Sequence, residues 1–322
     1  MCFMMRVARV VLVTACVTAT ALVPAPVLAE DPTVKTQAPG FYRLMLSDME
    51  ITALSDGTNK LSARLLRGDA ARIAQSLRRA FLTDPVETSH NGYLINTGTK
   101  LVLIDPGAGT MLGPTTGDLV NNLRAAGYRP EQVDEIYITH LHTDHVGGLV
   151  TGGARTFPNA ILRMDKHESD YWLSDANMRV APEASKRFFQ AAMAAVNPYV
   201  PAGRLKVFNG ETELIPGVRA RPAYGHTPGH TMFVVESKNE KLVLWGDVVH
   251  VAAVQFDDPS VTIEYDVDST MAAREHGLAF ADAAKNGYLV GGAHISFPGL
   301  GHVRHVADTT YEFVPLTYSA LK

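Results

Sequence analysis

Apolar positions along this chain change their period repeatedly. Short alternating or continuous apolar runs at 41–52, 92–104, 133–139, 160–164, 205–207, 218–223, 232–236, 242–245, 288–290 and 311–316 predict β-strands. Thr97-Gly98-Thr99-Lys100 splits the second run into two apolar halves, so a hairpin is expected there, and 237–240 turns in the same way between two later strands. Helical spacing marks 116–126, stopped by Gly127, then 166–195, broken near Pro182, and finally 269–285. The strands fall into two groups with helices between and after them. That order predicts an α/β fold of two sheets packed face to face with helices outside. No repeat, low-complexity tract or linker interrupts residues 41–322, so they are expected to make a single domain.

The N-terminus stands outside this pattern. Arg6 and Arg9 precede an apolar run from 10 to 23, and Val27-Leu28-Ala29 offers the residues a signal peptidase reads. Residues 1–29 are expected to be a secretory signal peptide, too short for a spanning helix, with export to a bacterial periplasm as the destination. No integral membrane segment is expected after cleavage. Val13-Thr14-Ala15-Cys16 allows a second reading as a lipoprotein cleavage box, against which the apolar run continues past Cys16 where a polar tether would stand. Residues 30–40, polar with two prolines, read as a mobile leader. Both cysteines, Cys2 and Cys16, leave with the signal, so the mature chain offers no thiolate ligand or nucleophile.

Composition acts mainly by exclusion. At 46% hydrophobic and 19% charged, the 322 residues are ordinary for a globular protein and unlike a disordered one. The formal charge is −4, from 29 Lys+Arg against 33 Asp+Glu, and losing Arg6 and Arg9 makes it more negative. No basic face remains for a phosphate backbone, so nucleic acid is not an expected partner.

Candidate chemistry concentrates in His140-Leu141-His142-Thr143-Asp144-His145, directly after a predicted strand. Alternate side chains of an extended segment point the same way, so His140 and His142 can clasp one ion while the following turn swings Asp144 and His145 toward another. Imidazole and carboxylate together suit zinc, or manganese, iron or cobalt, and do not suit calcium. Gly147-Gly148 follows and permits close backbone approach. Gly225-His226-Thr227-Pro228-Gly229-His230, Gly246-Asp247 and Gly292-Ala293-His294 each put a further candidate ligand just past a strand. Two divalent ions sharing one water lower its pKa enough to give a hydroxide at neutral pH, which would attack a carbonyl carbon or a phosphorus centre.

His-x-His-x-Asp-His, then Gly-His-Thr-Pro-Gly-His, Gly-Asp and a last His resembles the metallo-β-lactamase superfamily. The resemblance implies an αββα sandwich with two metals, most often Zn2+, at its rim. It makes His140, His142 and His226 ligands of the first metal, Asp144, His145 and His294 ligands of the second, and Asp247 the carboxylate bridging both. Asp144 would also receive or shuttle a proton, and His230 would be a supporting residue. Further runs, including Glu50-Ile51-Thr52-Ala53-Leu54-Ser55-Asp56-Gly57-Thr58, 251–260 and Ser296-Phe297-Pro298-Gly299, are similar to the methyl parathion hydrolase-like subfamily. Its members are secreted binuclear zinc hydrolases, usually homodimers, acting on organophosphate triesters, lactones or aryl esters. The acidic residue at 247 separates the chain from true β-lactamases, which usually carry Cys or Ser there.

Trp172 and Phe188 match positions where those relatives place aromatic residues around the pocket mouth. Both are also readable as helix residues packed on the core. Leu112 stands where a third aromatic is usual, and His250, Ile263 and Tyr265 also depart from the pattern. A titratable His250 near the metals favours a carbonyl substrate over an apolar phosphotriester, unless it is a buried structural histidine. The expectation is a lactonase or aryl esterase with side activity on organophosphates such as methyl parathion, and a dedicated organophosphate triesterase is the alternative. A binding module without turnover and a di-iron redox protein are disfavoured by the full ligand set and by the lack of chain for a flavin domain. His90, His167, His276, His302 and His305 are expected to be surface or structural.

Overall fold

Along the strand Met49–Leu61, Ile51 and Ala53 face one way and Thr52 and Leu54 the other, and all four are buried. The same double burial recurs in Val86–Asn96, Leu101–Ile104, Thr231–Ser237 and Glu240–Leu244. Strands covered on both faces carry nearly continuous apolar runs, and the period of two then decides only which side chain goes to which layer.

The computed structural model describes residues 33–321, so the expected signal peptide lies outside the described residues. Two seven-stranded sheets form. The first runs Phe41–Leu46, Met49–Leu61, Val86–Asn96, Leu101–Ile104, Glu135–Tyr137, Ile161–Asp165, Leu205–Phe208 in spatial order. The second runs Thr212–Ile215, Val218–Pro222, Thr231–Ser237, Glu240–Leu244, Leu289–Gly291, Leu300–Ala307, Thr310–Pro315. Ile51, Ala53, Tyr93, Ile95, Val102 and Ile104 meet Phe233, Val235, Leu242 and Leu244 between the sheets. On the outer face of the first sheet, Leu54, Leu94, Leu103 and Ile136 pack against Leu119 and Leu123 and against Phe189, Ala192 and Val196 of the helix Glu183–Val196. Met232, Val234, Val243 and Val290 do the same with Ala279, Phe280 and Ala283 of the helix Ser269–Asn286. Each large side chain buried this way contributes about 1.5–3 kcal/mol, so a one-residue slip that exchanged the layers would be costly. The layers are α, β, β, α, as expected, and everything from Ala38 onward forms one compact unit. Among the described residues no helix is long and apolar enough to cross a membrane.

Four departures from the sequence reading have physical causes, two local and two tertiary. The stretch 166–195 is three helices, Lys166–Trp172, Asp175–Val180 and Glu183–Val196, because the Ser174 hydroxyl caps Asn177 and Pro182 stands at the next N-cap. The helix expected over 116–126 is only Leu119–Ala125. Asp56 accepts the N–H groups of Ala108, Gly117 and Leu119, which holds the residues before that helix as a loop. The helix Ala70–Arg79 was not expected, since Ile73 and Leu77 are its few apolar anchors and find their partners in distant segments, Val86, Val254 and Val261 among them. Likewise Met49–Leu61 continues through polar residues because it pairs with Val86–Asn96 along its whole length.

Leu101–Ile104, Glu135–Tyr137 and Ile161–Asp165 run parallel, as do Glu240–Leu244 and Leu289–Gly291. Their carboxyl ends therefore lie on one rim, where loops from different strands converge.

Candidate metal centre

Every candidate ligand follows the carboxyl end of a strand. His142 is extended, and the short helix Thr143–Val146 starts at once, which turns Asp144 and His145 away from the line of His140 and His142. Gly147 and Gly148 serve a tighter purpose than approach to an ion. A Cβ at Gly147 would stand 1.9 Å from the Ala108 carbonyl oxygen, and one at Gly148 would stand 2.0 Å from that of Pro106. Backbone packs on backbone there, and only glycine allows it.

The structure brings all seven expected residues together in two groups. Ligand atoms of His140, His142, His226 and Asp247 lie within 4.8 Å of one another, and so do those of Asp144, His145, Asp247 and His294. Asp247 belongs to both groups. Its Oδ1 is 3.1 Å from His145 Nε2 and 3.2 Å from His294 Nε2, and its Oδ2 is 3.3 Å from His226 Nε2 and 3.6 Å from His140 Nε2.

Three of the imidazoles have a partner on the far nitrogen. His145 Nδ1 is 2.8 Å from Asp105, His226 Nδ1 is 2.7 Å from Asp266, and His294 Nδ1 is 2.9 Å from the Ser89 carbonyl oxygen. A proton held on Nδ1 leaves the Nε2 lone pair facing the centre. His230 supports from behind: Nδ1 donates to the Ala223 carbonyl, and Nε2 accepts the Asp247 N–H at 3.0 Å.

These donors fit a divalent cation. His140 Nε2, His145 Nε2 and Asp247 Oδ1 are buried and have no hydrogen-bond partner, which is costly unless an ion satisfies them. His226 Nε2 and His142 Nδ1 face each other at 3.0 Å. Burial alone would drive protons off His145, yet Asp247, Asp144 and Asp105 hold its pKa well above 6.5. Burial would likewise raise Asp247, and His145, His294, His140 and His250 hold it well below the usual carboxylate range. The centre thus draws positive charge inward, as a bound cation would exploit.

A cavity of about 570 Å3 opens over the centre, walled in part by Leu112, Phe188, His250 and Tyr265. Trp172 and Ile263, expected in that wall, are not among the residues lining it. Trp172 is buried behind His142, ring centroids 5.3 Å apart, and Ile263 belongs to the apolar cluster around Val254 and Leu77. His250 Nε2 is 3.1 Å from Asp247 Oδ2, and its ring stacks on His294 at 5.4 Å.

His90 corrects an expectation in the other direction. It lines the cavity, 3.4 Å from Asp144 Oδ2, with its ring edge-on to His294. His276 is structural, buried against the Pro259 carbonyl, and His302 and His305 are exposed. His167 is half exposed beside Asp165. Sequence reasoning also missed Asp105, Asp266 and Glu168, lone acids without spacing; Asp105 alone carried a signal, as an Asp-Pro-Gly directly after an apolar strand.

The sequence pattern described as the Metallo-beta-lactamase superfamily matches residues 85–294. An N-acyl homoserine lactonase of Bacillus sp is 30% identical over 126 residues, 39% of this chain and 42% of that one. The chain therefore matches less than half the length of such curated relatives. Solved structures align far more completely. AbOPH, a hydrolase in the beta lactamase superfamily, is 36% identical with TM-score 0.84 over 88% of this chain and 100% of its own. AidC, a dizinc quorum-quenching lactonase, is 27% identical with TM-score 0.80 over 87% and 99%. With the layer order, the rim placement of the ligands and a family match over 85–294, this chain belongs to the metallo-beta-lactamase superfamily.

Proposed function

We propose that this protein is a binuclear metal-dependent hydrolase, most active on lactones or aryl esters, with side activity on organophosphate triesters. The observation that carries the reading is Asp247, one carboxylate shared by two complete ligand groups on the floor of the cavity. AidC, similar over most of both chains, is a dizinc lactonase, which supports two Zn2+ ions and a lactone substrate.

Ions held there would supply a nucleophilic water at neutral pH and Lewis acidity for the oxygen on which charge develops. The chain's own residues do the rest. Asp247 holds the two ligand groups in one frame. Asp144, partly accessible from the cavity, is placed to take up a proton. Phe188, Leu112 and Tyr265 give the acyl or aryl group an apolar wall. His250 offers a hydrogen bond to a carbonyl substrate, which a triester with bulky apolar arms uses poorly.

The direct test is hydrolysis of dihydrocoumarin, an aryl acetate and methyl parathion by zinc-loaded protein beside a metal-stripped control. Carbonyl substrates are expected to win by orders of magnitude; a win for methyl parathion makes the protein a dedicated triesterase. His250→Leu is expected to move the lactone-to-triester activity ratio about tenfold toward the triester, the worth of one hydrogen bond. An unchanged or opposite ratio removes His250 from substrate selection.

Export belongs to the same reading. Protein recovered from the periplasm of an expressing bacterium is expected to begin at Glu30 on N-terminal sequencing, whereas an intact Met1 or a lipidated Cys16 overturns it.

A further inference from the structure

Glu168 lies in the short helix Lys166–Trp172 and is fully buried. A carboxylate is expected to be buried only with strong partners, and Glu168 has three. Oε1 accepts the Leu141 N–H at 2.7 Å, and Oε2 accepts the Thr227 hydroxyl at 2.7 Å and the Gly229 N–H at 2.9 Å. A Cβ at Gly229 would come within 2.3 Å of the Glu168 backbone nitrogen, so glycine is what lets the two segments close.

The placement of these partners is selective. Leu141 stands between His140 and His142 on a loop of the first sheet, and Thr227 follows His226 on a loop of the second. All three histidines of the first ligand group are flanked by a Glu168 contact. Asp144, His145 and His294 have no hydrogen bond to Glu168; Asp105 and the Ser89 carbonyl orient the latter two.

We propose that Glu168 is a positioning residue that ties the His140–His142 loop to the His226 loop and so sets the affinity of one metal site while sparing the other. The inference rests on the two-ion reading above. Glu168→Gln keeps the shape but replaces one acceptor oxygen by a donor. That NH2 must face either the Leu141 N–H or the Thr227 and Gly229 donors, so one tether is lost whichever way the amide sits. Loss of such support typically weakens a metal site about 10- to 100-fold.

The experiment is a chelator titration of the zinc-loaded, full-length protein, with metal per chain measured at each step. Wild type is expected to hold two ions. Glu168→Gln is expected to release one of them at about 10- to 100-fold lower chelator and to keep the other at the wild-type point. Thr227→Val, which deletes a single donor without changing shape, is expected to act in the same direction more weakly, so the test survives if the glutamine variant does not fold. Asp105→Asn, which disturbs both His145 and the Thr139 that contacts His140 Nδ1, is expected to loosen both ions and so to contrast with the one-ion effect of Glu168→Gln. If Glu168→Gln loosens both ions together, or neither, the proposal is overturned. A wild type that holds one ion or none sinks the two-ion reading, and the proposal with it.

Discussion

Asp247→Ala is expected to empty both metal pockets and to lower hydrolysis by at least about 10³-fold, since metal-based charge stabilisation is worth several kcal/mol. No other residue belongs to both ligand groups. Its two oxygens lie between the Nε2 atoms of His140 and His226 on one side and those of His145 and His294 on the other. Without the carboxylate, His140 and His226 would keep no anion between them and the second group would keep only Asp144, so repulsion between cation and cation would be far less offset. Metal content by elemental analysis and rate on an aryl ester should fall together while circular dichroism stays native. A fully metallated, active variant would remove Asp247 from the centre of the mechanism.

Trp172→Ala is expected to cost about 3–5 kcal/mol of stability, the usual loss for truncating a buried aromatic. Trp172 is only 3% exposed and packs on Phe189 at 4.6 Å, Tyr171 at 4.9 Å and His142 at 5.3 Å between ring centroids. The cavity left behind would also free His142 to leave its ligand geometry. Phe188→Ala provides the contrast, because Phe188 is half-buried and faces the substrate cavity; its main effect should be a raised KM with a smaller loss of stability. Urea unfolding and steady-state kinetics on both variants separate the roles. A Trp172→Ala protein of unchanged stability with a raised KM would return Trp172 to the pocket wall.

That contrast also marks where sequence reading reaches its limit. Trp172 and Phe188 look alike as aromatics on either side of the break expected near Pro182, and nothing in their spacing says which way either ring turns. One ring turns toward the core behind His142 and the other toward the cavity. His90 lies in the polar stretch Thr88-Ser89-His90-Asn91 just before the expected strand 92–104, and only the longer strand Val86–Asn96, whose Ser89 and Asn91 reach the His294 loop, brings its ring beside Asp144. Glu168 and Asp266 are single acids on segments unrelated to the ligand motifs, so their roles exist only where two loops meet.

The sequence by itself determined the layers and the candidate ligand set of this protein. Alternation along Met49–Leu61, Leu101–Ile104 and Thr231–Ser237 assigns side chains to the inter-sheet core or to the helices, because successive strand residues must face opposite ways. His140, His142, Asp144 and His145 were legible because their spacing is local, within the reach of one strand end and one turn. What the tertiary structure decided is everything that depends on two distant segments meeting. The far-side partners of the imidazoles, the place of Trp172 behind His142, the place of His90 beside Asp144 and the Glu168 tether all join residues tens of positions apart. Chain connectivity constrains no such pair, and only the packing of the two sheets brings the partners within hydrogen-bond reach.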